Sequence, residues 1–115
     1  MRKISKELMG ASSIPLILSI LRTKDTYGYE IMKQLKELSN GRLIWKEGSL
    51  YPVLKKMEDL KYIKSYWNVK DFDRPRKYYK ILAKGEVALK ENREDWALMQ
   101  TIFDKLWKAA QPASI

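Results

Sequence analysis

The chain has 115 residues, one domain by length. It contains no cysteine and no histidine, which excludes a disulfide framework, thiolate or imidazole metal sites and the commonest general base. Its net charge of +9 is uneven: residues 1–80 hold 18 Lys/Arg and 9 Asp/Glu, whereas residues 81–115 hold 5 of each.

In chain order, Ser12-Ser13-Ile14-Pro15 is a helix-start signal, with serine as N-cap and proline in the first turn. It predicts a mostly buried helix over about 13–22, with an earlier turn from residue 5. In the stretch 27–39, Ile31, Leu35 and Leu38 recur at i, i+4 and i+7, a second amphipathic helix that Asn40-Gly41 stops. Leu43-Ile44-Trp45 reads as a short strand. A third helix over 49–60 carries Leu50, Val53, Leu54, Met57 and Leu60 on one stripe, and Pro52 at its third position makes Ser49 the N-cap.

Residues 62–69 and 76–82 are aromatic and β-rich, and the polar segment KDFDRP separates them, so they form a β-hairpin with a long tip. From Ala83 to Ala110 the chain is helical. Leu82, Leu89, Trp96, Met99, Phe103 and Leu106 fall on heptad-like spacing there, with Gly85 and Asn92 as gaps.

Three helices followed by a two-stranded wing make a winged helix-turn-helix, and the fold class is mainly α with a small β-hairpin. The basic part suits a polyanion and the neutral helix a different task. Residues 1–82 are the DNA-binding domain, 83–110 a dimerisation helix and 111–115 a flexible tail. Helix 3 fits the major groove of duplex DNA, with its N-terminal turn at the base edges. Ser49, Tyr51, Lys55 and Lys56 are its candidate contacts, and Arg74, Arg76 and Lys77 near the wing tip are those to the backbone. The plainer reading is a capping serine, a half-buried tyrosine and solvated lysines; the wing beside them favours the functional one.

Trp96, Met99, Ile102, Phe103, Leu106 and Trp107, in line with Leu89, form a seam too apolar for one small domain to hide. It calls for a symmetric dimer, whose two-fold axis matches a palindromic operator.

The blocks YGYEI (27–31), EGSLYPVLKKME (47–58) and RPRKYYKI (74–81) resemble those of the PadR family of transcriptional regulators. The resemblance spans roughly 12–110, and the short C-terminal segment looks like the small subfamily with a single dimerisation helix. It implies a homodimeric winged-helix repressor, often responsive to phenolic or planar aromatic compounds, and adds Tyr27 to the DNA-contact set. In multidrug-responsive members a tryptophan on the last helix faces its mate across the dimer axis, and flat ligands stack between the two. Trp96 sits where that residue aligns, with Met99, Leu8 and Ile14 completing the candidate ligand site. Plain dimer core is the competing assignment for Trp96. Two departures stand out: Lys61 replaces a usual glycine after helix 3, and Ala83 replaces a usual serine or threonine before the last helix.

No cofactor and no metal is expected. An enzyme is unexpected without His, Cys or a glycine-rich phosphate loop, and Glu58 and Asp59 point apart on their helix. No apolar run approaches membrane-spanning length, so a soluble cytoplasmic protein is expected. The rival readings are binding of RNA or an anionic surface, and a partner-binding module that has lost DNA.

Overall fold

Ser5 starts the first helix. Its Oγ accepts the Leu8 backbone N–H at 3.2 Å, and α1 then runs Lys6–Thr23. This comes from a computed structural model, which describes residues 2–69 and 74–110; most of the proposed wing tip and the proposed tail lie outside them. Pro15 therefore sits inside α1 rather than at its start. A mid-helix proline costs about 3 kcal/mol. The fully buried Ile17, Leu18 and Leu21 follow it, each worth about 1.5–3 kcal/mol, so burial decides. Ser12 and Ser13 do not cap; they donate back to Leu8 and Gly10 carbonyls.

After β1 (Thr26–Tyr27), α2 (Gly28–Leu38) buries Ile31 and Leu35. Leu38, expected on the same stripe, is 79 % exposed because the helix ends there. Its close is a Schellman turn. Gly41 N donates to Lys36 O and Asn40 N to Glu37 O, with both Asn40 and Gly41 at positive φ.

Residues 42–46 form no strand. Arg42 is engaged elsewhere: its backbone carbonyl accepts Ile4 N at 2.9 Å, and its side-chain Nε donates to Arg2 O at 3.0 Å. Trp45 is buried in this link. The third helix, α3, spans Glu47–Asp59 with Lys46 as N-cap. Ser49 is thus its third residue and Pro52 its sixth, a second proline outweighed by burial, here of Leu50, Leu54 and Met57.

A second Schellman turn ends α3, with Tyr62 N donating to Met57 O and Lys61 N to Glu58 O. Lys61 takes φ 65° at the position that glycine favours. The turn is kept and the lysine bears the strain, about 1 kcal/mol or more. Lys61→Gly is expected to stabilise the protein by roughly 0.5–1 kcal/mol in denaturant melts; an unchanged midpoint would remove the strain argument.

The hairpin pairs β2 (Ile63–Asn68) with β3 (Arg76–Ile81), from Ile63↔Ile81 to Asn68↔Arg76. β1 adds on the other side of β3, giving the order β1-β3-β2. Alternation puts Ile63, Ser65 and Trp67 with Ile81, Tyr79 and Lys77 on the helix-facing side. The other side carries Tyr27, Tyr66, Tyr78 and Arg76.

The last helix, α4, spans Ala83–Ala110. Leu82 O accepts Glu86 N, so Leu82 rather than Ala83 occupies the cap position. Only Gly85, Ala88 and Leu89 of α4 are buried, and every residue from Arg93 to Ala110 is exposed. The radius of gyration is 17.3 Å, against about 13 Å for a compact chain of this length. The excess is an α4 that leaves the domain with an apolar stripe uncovered.

Candidate nucleic-acid interface

Helix α3 turns about 100° per residue. With Leu50, Leu54 and Met57 inward, its outer crest is Gly48, Pro52, Lys55 and Asp59. Tyr51 lies on one flank and Ser49 and Lys56 on the other. All seven are exposed. Because Lys46 is the cap, the Ser49 hydroxyl is not spent on helix capping.

The Tyr51 flank faces the wing. Tyr51 borders one groove of about 470 Å³ with Tyr27, Tyr29, Glu47, Arg74, Arg76 and Lys77. Five of the eight sequence-derived DNA candidates thus converge. Ser49 borders a different groove with Lys6, Lys46 and Trp45. Lys55 and Lys56 line neither groove. Lys55 bonds Asp59 at 3.0 Å, which holds its ammonium above its ordinary pKa. Such an exposed pair is weak and readily exchanged for a phosphate.

Two contacts preset the geometry. A Cβ on Gly28 would fall 2.5 Å from Tyr51 Oη, so this glycine lets the Tyr51 ring lie over the start of α2. The Arg76 guanidinium lies 4.6 Å from the Tyr27 ring centroid, a cation–π contact that orients it across the groove. Tyr27 leans on Tyr78, and Tyr78 on Tyr66, at 5.4 and 5.9 Å between centroids. Tyr66 Oη donates to Asp25 Oδ2 at 2.7 Å, tying β2 to the turn before β1. Tyr29 and Glu47 were missed by sequence reasoning. Tyr29 was within reach, lying inside the YGYEI block; Glu47 brings negative charge, suited to a helix N-terminus and not to phosphate.

The hydrogen bond to Asp25 pushes the Tyr66 phenol up to about 12, with burial and the Asp25 charge adding to it. Burial pushes Tyr79 up to about 12, aided by Glu58 and Tyr51. In the unfolded chain both ionise near pH 10. Above that the unfolded state binds fewer protons than the folded one, so stability falls as pH rises. The contribution is complete below pH 10 and lost through about 12. Thermal melts from pH 9 to 12 are expected to fall steeply, and less steeply for Tyr66→Phe; parallel curves would discount the Asp25 bond.

A second, largely apolar cavity of about 510 Å³ lies between α1 and α4. Leu8, Leu16, Leu43, Leu89 and Trp96 line it. Of the proposed ligand residues it gathers Leu8 and Trp96. Ile14 packs against the domain core, and Met99 stands exposed on α4, outside the cavity. Among the proposed dimer residues, Leu89 is buried within its own protomer, while Ile102, Phe103, Leu106 and Trp107 are exposed. Among the described residues, no cluster of acidic side chains could hold a metal, and no helix is long and apolar enough to cross a membrane.

The sequence profile described as "Transcriptional regulator PadR-like family" matches residues 17–91. The chain is 34% identical over 89 residues to an uncharacterized protein of Lysinibacillus sphaericus, covering 77% of this chain and 82% of that one. A PadR family transcription regulator from Clostridium difficile superposes with a TM-score of 0.74 at 37% identity, over 84% of this chain and 98% of that one. A transcriptional regulator from Clostridium thermocellum gives 0.79 at 31% identity, over 87% and 97%.

Proposed function

The chain belongs to the PadR-like family of transcriptional regulators, and from that premise we propose a homodimeric repressor that binds a palindromic operator and is released by a small planar aromatic effector. The observation that carries the DNA half is the convergence of Tyr51, Tyr27, Arg74, Arg76 and Lys77 in one groove beside the exposed crest of α3. In this reading α3 enters the major groove with Ser49 and Tyr51 on its two flanks, so each approaches a different wall. Lys55 releases Asp59 to meet phosphate, and Lys56 lies on the Ser49 flank. The wing arginines and Lys77 hold the neighbouring backbone.

The dimer half is supported by the uncovered stripe of α4. The effector half is supported by the apolar cavity between α1 and α4 beside Trp96; in this reading the α4 of a second subunit closes it. A ligand that prefers one dimer opening would change the spacing of the two reading helices.

The test is binding of the purified protein to a labelled duplex of its own promoter region across a salt series. Strong preference over a scrambled duplex at two subunits per site is expected. Arg76→Ala should weaken binding roughly tenfold and lower the log–log salt slope by about 1.8, one phosphate contact from each subunit. Planar aromatic compounds should then release the bound duplex. Equal binding to both duplexes would reduce the proposal to a basic surface.

A further inference from the structure

Trp67 has no role in the reading above, yet it is 65 % exposed on an ordered strand. Its position in the sheet decides where it looks. Ser65, two residues earlier on β2, donates its Oγ to Glu58 Oε2 of α3 at 2.9 Å. Side chains two apart on a strand share a face, so Trp67 faces the α3 side of the wing, about 7 Å nearer the tip. Its cross-strand partner is Lys77, on the same face, with Nζ 5.9 Å from the Tyr79 ring. Directly paired side chains of this kind are neighbours.

The helices cover this face over Ile63 and Tyr79, which are buried, and leave it bare at Trp67 and Lys77, which are exposed. An indole and an ammonium therefore sit side by side where the wing overhangs α3. Lys77 also lines the groove of Tyr51 and Arg76, so the corner adjoins that groove through Lys77.

We infer that Trp67 seats against the sugar–phosphate backbone of the DNA strand bordering the groove that α3 reads. The flat ring covers a deoxyribose, the indole N–H donates to a phosphate oxygen, and Lys77 neutralises the phosphate beside it. The occupant follows from the pairing: an apolar plane next to a cation matches the alternation of sugar and phosphate, and the patch adjoins the proposed DNA surface. A backbone contact is blind to sequence, so Trp67 contributes affinity without choosing the operator. The inference rests on the DNA-binding reading and adds a residue to it.

Binding of the full chain to its promoter duplex and to a scrambled duplex of equal length separates the two. For Trp67→Ala the expected loss is about tenfold on both duplexes, leaving their ratio unchanged. The salt slope should stay as in the wild type, because an uncharged group releases no counterion, whereas Lys77→Ala should lower it. Trp67→Phe keeps an aromatic strand residue without the N–H, and should recover part of the loss. The wild type supplies a readout free of any folding effect: duplex should protect its tryptophan emission from acrylamide, and Trp67→Phe should lose that protection. Wild-type affinity in Trp67→Ala, or no protection on binding, overturns the inference and leaves the regulator reading intact. A wild type that binds neither duplex sinks both.

Discussion

Replacing Phe103 and Leu106 together with glutamate is expected to turn the protein into a monomer and to abolish tight operator binding. Both side chains are exposed on α4, in the same stripe as Trp96 and Met99. Each large apolar side chain contributes roughly 1.5–3 kcal/mol when buried. Six of them, Trp96, Met99, Ile102, Phe103, Leu106 and Trp107, suffice to offset the cost of association, about 4–15 kcal/mol. In the proposed dimer, glutamates in this stripe would be desolvated against the partner's apolar face with no cation to pair them. Splitting the dimer removes the second half-site from reach, so affinity should fall about a hundredfold or more. The domain itself should survive, since nothing beyond Asn92 on α4 helps to build its core. Sedimentation and duplex titration check both halves. A dimer that persists would move the interface away from this stripe.

Gly85→Ala is expected to be the most damaging single methyl in the chain. A Cβ at Gly85 would lie 2.2 Å from the Tyr62 carbonyl oxygen and 3.0 Å from its carbon. Both are backbone atoms, and the oxygen already accepts Leu82 N at 2.8 Å. Relief would require α4 to lift off the hairpin. The cost should be about 3 kcal/mol or more, and the melting temperature should drop by on the order of 10 °C. Gly10→Ala is the control. Nothing lies within 4 Å of a Cβ there, the residue is inside α1, and the change should stabilise the fold by about 0.5–1 kcal/mol. Similar melts for both variants would refute the close approach.

These two positions also mark how far the chain could be read without its fold. The heptad spacing that ends in Phe103 and Leu106 is a local pattern, and α4 spans Ala83–Ala110 as that pattern predicts. The hairpin strands follow from alternation in the same way, and α3 from its Leu50, Leu54, Met57 stripe. Gly85, by contrast, is only a gap in that spacing until Tyr62 is brought against it.

The misplaced boundaries share one cause. Ser-Ser-Ile-Pro and Ser-Leu-Tyr-Pro both resemble helix starts, and both α1 and α3 run through their prolines. A proline's penalty is local, but the burial that outweighs it comes from residues distant in sequence. β1 consists of two residues with no periodicity, and it exists because β3 offers a free edge to Thr26 and Tyr27. Leu43-Ile44-Trp45 has the composition of a strand but no such edge, and the adjacent Arg42 bonds the N-terminal arm instead.

For the site, residue chemistry was readable and convergence was not. Tyr51, Arg76 and Lys77 could be named from type and position. That Tyr51 rests on Gly28, that Tyr27 aims Arg76, and that Ser49 and Tyr51 occupy opposite flanks are three-dimensional facts. The sequence by itself determined the basic charge of the first 80 residues, the order of the four helices and the hairpin, and the apolar stripe of α4, because composition and short-range periodicity are properties of the chain alone. Only the tertiary structure decided where α1 and α3 begin, which segment became the third strand and which side chains meet in the groove, because each of those depends on burial and pairing between residues far apart in sequence.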